Sequence, residues 1–148
     1  MALDTFFQEQ EESNWLDTLP NYQRDLVNEL LSYYSYEEAA VTWLESSTSN
    51  TSPFSGQPQP EKKYFEYVKK EVHKLLCGDT NYEAERHELV QLAQKPENKN
   101  GIIAMVSALI GAKLGLAATF LAPVIVIIFL TIGKISLNAW CTMESSTN

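Results

Sequence analysis

The stretch GIIAMVSALIGAKLGLAATFLAPVIVIIFLTIGKISLNAWC, from Gly101 to Cys141, decides how this chain is read. Between Lys113 and Lys134 it holds twenty consecutive residues, Leu114 to Gly133, without a charge. A helix of that length rises about 30 Å, the thickness of a bilayer's hydrocarbon core. The run before it, Gly101 to Leu116, is itself apolar apart from Ser107 and Lys113. Two arrangements fit. One is a single span from Leu114 to Gly133, kinked at Pro123. The other is a hairpin of two helices, Ile102–Thr119 and Pro123–Ala139, with Pro123 in the first turn of the second, where its missing N–H is no loss.

The hairpin is preferred because small residues organise its first arm. Ala104, Ala108, Gly111, Ala112 and Gly115 fall on one helical face, and Gly111 to Gly115 is a literal G-x-x-x-G. A face without bulk lets two helix backbones approach closely, so these five residues predict a helix contact, and self-association is a weaker implication. Ile102, Ile103, Val106, Leu109, Ile110, Leu114 and Leu116 cover the other faces, so the arm is apolar all round and belongs in protein or in lipid.

The second arm changes character midway. Val124 to Leu130 has no polar face, whereas Thr131, Lys134 and Asn138 line up at i, i+3 and i+7. Trp140 comes next, where an interfacial aromatic belt would place it, or where the core of a soluble bundle would close. The β-branched run Val124 to Ile128 would suit a strand, but nothing else in the chain supplies a partner strand, so helix is expected. Lys113, Pro123, Ile127, Leu130, Lys134 and Trp140 are therefore the residues expected to meet a membrane or its interface.

Charge is distributed as a gradient around this segment. The 148-residue chain carries a net charge of −8. Residues 1–60 hold ten acids against Arg24 alone, residues 61–100 balance eight acids with eight bases, and residues 101–148 hold only Lys113, Lys134 and Glu144. An acidic chain is a poor partner for nucleic acid, whose binding draws on clustered Lys and Arg. Near-average composition, with 45% apolar residues, excludes wholesale disorder.

The region before Gly101 reads as amphipathic helix. Trp15, Leu16 and Leu19 form an apolar anchor before Pro20. Tyr22, Leu26, Val27, Leu30, Leu31 and Tyr34 recur at helical spacing, with Arg24, Asp25, Asn28 and Glu29 facing away. Ser35 and Glu38 make a capping box that opens a further helix at Tyr36. The tract from Ser46 to Pro60, with three prolines, one glycine and no charge, reads as linker, and Phe54 is its only large apolar residue. From Glu61 to Cys77 an apolar stripe (Tyr64, Phe65, Val68, Val72, Leu75, Leu76) is backed by Lys62, Lys63, Lys69, Lys70 and Lys74, with Glu66 placed to pair with Lys70. Those lysines suit an anionic membrane surface, but Glu61, Glu66 and Glu71 dilute the field, and an ordinary core-covering helix is the simpler reading. Gly78 is a natural left-handed terminator, Asp79 or Thr80 can cap the next helix, and Tyr82 to Gln94 forms it.

Candidate chemistry is thin. His73, Cys77, His87 and Cys141 lack the paired spacing of a zinc site, and His87 stands among Glu85, Arg86 and Glu88 on a solvated face. The start of the chain, with four acids and no base before Asp17, has no secretory character. Synthesis in the cytosol is expected, with Cys77 and Cys141 as reduced, small apolar residues and the Asn50-Thr51-Ser52 sequon as chance. Neither a nucleophile elbow nor a phosphate-cradling loop occurs, and the adjacent carboxylates Glu11-Glu12 and Glu37-Glu38 lie on amphipathic helices. No catalytic residue, metal ligand or cofactor is assigned.

The expected organisation is all-α, a bundle of amphipathic helices with a C-terminal hydrophobic helical hairpin. Residues 1–47 form acidic amphipathic helices, 48–60 a linker, 61–100 an amphipathic pair, 101–141 the hairpin and 142–148 a tail. In plan this resembles pore-forming toxin domains and apoptotic regulators, which wrap amphipathic helices around an apolar hairpin. The likeness is architectural and rests on no motif. It implies a non-enzymatic membrane effector or regulator, membrane-associated with its N-terminal region cytoplasmic, whose partners are membrane lipids and a protein or a second copy. The competing expectation is a soluble adaptor whose hairpin is its core.

Overall fold

Leu3, Phe6 and Phe7 recur at i, i+3 and i+4, the spacing of one helical face, and all three are buried. They belong to helix α1 (Ala2–Glu9), which the sequence reading passes over although its signal is plain. The computed structural model describes residues 2–9, 12–51 and 61–146. Within them the chain continues as α2 (Glu12–Leu16), α3 (Asn21–Tyr33), α4 (Tyr36–Thr51), α5 (Glu61–Cys77), α6 (Glu83–Leu92), α7 (Lys99–Leu114), α8 (Ala118–Ile135) and α9 (Leu137–Ser146), with two short 3₁₀ turns at Thr80–Tyr82 and Pro96–Asn98. No strand occurs among the described residues, and Val124 to Ile128 is helical as expected.

Local chemistry sets several boundaries as the sequence predicts. The Ser35 hydroxyl accepts from the Glu38 N–H at 3.2 Å, and the Glu38 carboxylate accepts from the Ser35 N–H at 3.3 Å, so the capping box is closed. Gly78 ends α5 at φ 114°, and the Asp79 carboxylate accepts from the Asn81 N–H. Helix α4 runs to Thr51, further than the expected linker allows; residues 52–60, with Phe54 and the rest of that linker, lie outside the described residues. Glu66 pairs with Lys69 at 3.5 Å, where the sequence suggests Lys70.

Helix α8 is the axis of the fold. Ten of its eighteen residues are buried, and α1, α2, α3, α4, α7 and α9 all pack against it. Trp15 of α2 and Phe7 of α1 meet Phe129 of α8 edge to face, with ring centroids 5.1 and 4.8 Å away. Helix α7 folds back along α8 across residues 115–117. Among the described residues only α8 is long and apolar enough to span a membrane, so the expected hydrophobic hairpin is met in one arm. The buried side chains of the helices around α8 join its own in one contiguous core.

Helix α3 is rolled relative to expectation. Tyr22, Leu26 and Tyr34, assigned to its buried face, are 65%, 47% and 44% exposed, whereas Gln23 and Val27 are buried. The cause is a demand that α8 places on Gln23.

Candidate functional site

The sequence places Pro123 in the first turn of a helix, yet α8 begins at Ala118 and carries Pro123 inside it, buried. A proline there has no N–H to give the carbonyl four residues back, and its ring crowds that carbonyl. The carbonyl in question belongs to Thr119. It accepts instead from Gln23 Nε2 of α3 at 2.9 Å. One residue on, the Phe120 carbonyl accepts from Trp43 Nε1 of α4, also at 2.9 Å, and the Trp43 and Phe120 rings stack. Two side chains distant in sequence thus donate to backbone carbonyls beside the proline, and the buried Gln23 amide finds the partner that a buried polar group requires. Gln23 must face inward to do so, and α3 turns its Gln23–Val27 side to the core. Tyr22, Leu26 and Tyr33 are left facing solvent.

The small face of α7 is not packed against another helix among the described residues at its three alanines. Ala104, Ala108 and Ala112 are exposed, and α7 meets the core through Ile102, Ile103, Val106 and Ile110. Gly111 and Gly115 serve the turn. Gly115 adopts the left-handed conformation at φ 74°, and the Leu116 N–H reaches back to the Gly111 carbonyl at 2.9 Å. A Cβ at Gly111 would lie 2.5 Å from the Leu116 carbonyl oxygen. The G-x-x-x-G is therefore a chain reversal, a local use of glycine that competes with close helix packing for the same pattern.

Of the residues expected at a membrane, Pro123, Ile127, Leu130 and Trp140 are buried, and Lys113 and Lys134 are exposed. Lys113 Nζ lies 5.8 Å from the centre of the Tyr82 ring. The expected second arm also divides. Helix α8 stops at Ile135, Ser136 takes φ 141° and ψ 159°, and α9 starts at Leu137 with the Ser136 hydroxyl accepting from the Ala139 N–H. Trp140 lies on α9, 2% exposed, with its ring 5.9 Å from that of His73.

Cys77 and Cys141 are joined as a disulfide between α5 and α9, across 64 residues of sequence. This corrects the expectation of two reduced, separate thiols. Two cysteines that far apart carry no local signal of pairing. The bond also removes both thiolates from metal chemistry, and no metal-binding group of His, Cys, Asp and Glu occurs among the described residues.

Electrostatics gather on α5. Lys69 is not on an open basic face: its ammonium lies within 3.5 Å of Glu37, Glu66 and Glu144. Burial alone would lower its pKa, but the carboxylates of Glu144, Glu66 and Glu37 together outweigh that and hold it above the ordinary lysine value. Glu71, buried, accepts from the Tyr82 hydroxyl at 2.7 Å and from Lys74 at 3.2 Å. Burial raises the Tyr82 pKa, and its hydrogen bond to Glu71 raises it further. Arg86 of α6 donates to the Leu75, Lys74 and Asp79 carbonyls, closing the end of α5.

One helix among the described residues, α8, is long and apolar enough to cross a membrane. Comparison with protein-family models, with curated proteins and with solved structures found no match.

Proposed function

We propose that the chain is a non-enzymatic, membrane-acting protein whose α8, with the C-terminal segment around it, is the part that enters or binds lipid. One observation carries this reading: an eighteen-residue apolar helix is surrounded by six other helices. Amphipathic helices that sheathe such a helix keep it in water, and lipid offers it an equivalent solvent once they move. The exposed Tyr22, Leu26 and Tyr33 of α3, in a strongly acidic region, give the N-terminal part a surface for a protein partner.

A second reading has its own support. The burial of ten α8 residues is also what the core helix of a soluble adaptor requires. The two separate on vesicle binding. Purified protein is floated with anionic liposomes in oxidising and in reducing buffer; binding in either supports the membrane reading, and absence from lipid in both decides for the adaptor. Ile127 and Leu130 are unsuitable for charge substitution, because both are core and aspartate there would unfold the protein. Thr131→Asp is the better variant. Thr131 is half-buried and lines the same cleft as Lys69, so the soluble fold can accommodate the charge. On insertion scales a charge inside a spanning helix costs about 2.5–3.5 kcal/mol, and lipid binding should fall at least tenfold with the circular dichroism spectrum unchanged.

A further inference from the structure

Helix α9 is fastened to α5 along one line of side chains. Lys69, His73 and Cys77 are spaced i, i+4 and i+8, so they stack on one side of α5. Each of them holds α9. Lys69 Nζ lies 3.3 Å from the Glu144 carboxylate, His73 Nε2 donates to the Cys141 carbonyl at 3.0 Å, and Cys77 is bonded to Cys141. On its other side α9 lays the buried Leu137 and Trp140 against the core that α8 occupies. The seam between them is open to solvent, for a cleft lined by Phe65, Ile128, Thr131 and Met143 runs into it.

The joint between α8 and α9 is a single strained residue. Ser136 at φ 141° occupies backbone space that a side chain disfavours, and such a residue persists only where its surroundings hold it. Once α9 is no longer held, Ser136 can relax to helical angles and merge α8 with α9. The merged helix would run from Ala118 to Ser146, and over its length from Ala118 to Met143 it carries one charge, Lys134.

We propose that the Cys77–Cys141 disulfide is a redox latch that keeps α9 docked over α8 and is opened by a dithiol reductant, freeing the membrane-active segment. The proposal rests on the membrane reading above. A thiolate of the reductant attacks one protein sulfur, forming a mixed disulfide and releasing the other cysteine. The reductant's second thiol then displaces the remaining cysteine, so two electrons and two protons pass to Cys77 and Cys141, and the reductant leaves as a disulfide. Both cysteines are half-buried, which leaves the bond within reach of such a reagent. Reduction removes the one covalent tie of the clasp and leaves α9 held by non-covalent contacts, among them the Lys69–Glu144 ion pair, the His73 hydrogen bond and the packing of Leu137 and Trp140.

The test floats the full chain with vesicles of phosphatidylcholine and phosphatidylglycerol in three forms: oxidised, reduced with dithiothreitol, and reduced then bridged between the two sulfurs by dichloroacetone, which leaves a thioether link that dithiothreitol cannot cut. Hydrogen exchange of the amides from Leu137 to Met143 is followed in parallel. The expected result is at least tenfold more lipid-bound protein and faster exchange in that segment for the reduced form alone. Equal binding by all three forms overturns the latch and leaves the membrane reading standing. Absence of binding by every form, with exchange still accelerated on reduction, overturns the membrane reading and the latch with it. Loss of the helical circular dichroism signal on reduction also overturns the proposal, since the bond would then staple the whole fold.

Discussion

Helices α7 and α8 are adjacent in sequence, 16 and 18 residues long, and each carries a single lysine beyond its first turn. Both are rich in apolar residues, α8 the more so, and they are used differently. Helix α8 buries ten residues and packs against six other helices, whereas α7 buries one side and leaves Ala104, Ala108 and Ala112 in solvent. Beyond its higher apolar content, α8 offers specific acceptors and ring contacts: the Thr119 and Phe120 carbonyls, and Phe129 against Phe7 and Trp15. Apolar character brings a helix to the core, but these groups fix which helix becomes its axis.

The sharpest way to break this comparison is to change one side chain on each helix. Phe129→Ala removes a fully buried ring and should cost about 3–5 kcal/mol in urea denaturation. Ala108→Leu on the outer face of α7 should stay within about 0.5 kcal/mol. Comparable losses at both positions would mean that α7 hides a contact on its small face after all.

A smaller effect tests the proline. Gln23→Leu takes from the Thr119 carbonyl its part-buried donor and should cost about 0.5–1.5 kcal/mol. Pro123→Ala restores the missing N–H to α8, so the same Gln23→Leu change should be milder in that background. A double-mutant cycle with no coupling would show that Gln23 does not serve the gap left by the proline.

The smallest effect concerns pH. Both Lys69 and Tyr82 have folded pKa values above their ordinary values of 10.5 and 10.0. Stability from each is complete below its ordinary value and is lost as pH rises through the folded one. Denaturation midpoints should therefore be flat from pH 7 to about 10 and fall above it. Tyr82→Phe should lower the neutral-pH midpoint, by removing the donor to Glu71, and flatten part of the alkaline fall. A variant whose alkaline slope matches the unmodified chain would remove Tyr82 from that account.

Much of the helical content was legible because its causes are local. The capping box at Ser35 and Glu38, the terminator Gly78 and the α5 stripe each depend on residues within a turn or two. The misreadings share an opposite cause. Pro123 looks like a helix start unless Gln23 and Trp43, each more than seventy residues away, are known to serve the carbonyls beside it. The exposed side of α3 stems from that same bond, so one unseen hydrogen bond displaced the assignment of a whole face. At Gly111 and Gly115 the ambiguity is chemical: glycine permits both close packing and a left-handed turn, and a single sequence does not choose between them. The disulfide was invisible because pairing depends on the Cα separation of 5.8 Å, which only the fold determines. By contrast α1 was legible in the helical spacing of Leu3, Phe6 and Phe7, a local signal like the others.

The three tryptophans stand at three different seams. Trp15 sits in the ring cluster where α1 and α2 meet α8, Trp43 reaches from α4 to the α8 backbone, and Trp140 lies beside the α5–α9 disulfide. Variants that keep one indole and replace the other two with phenylalanine would turn each seam into a separate optical channel. A disulfide quenches a neighbouring indole, so the Trp140 channel should brighten on reduction even before the backbone moves. The order in which the three emissions change during unfolding or on contact with vesicles would then record which helix leaves the central one first.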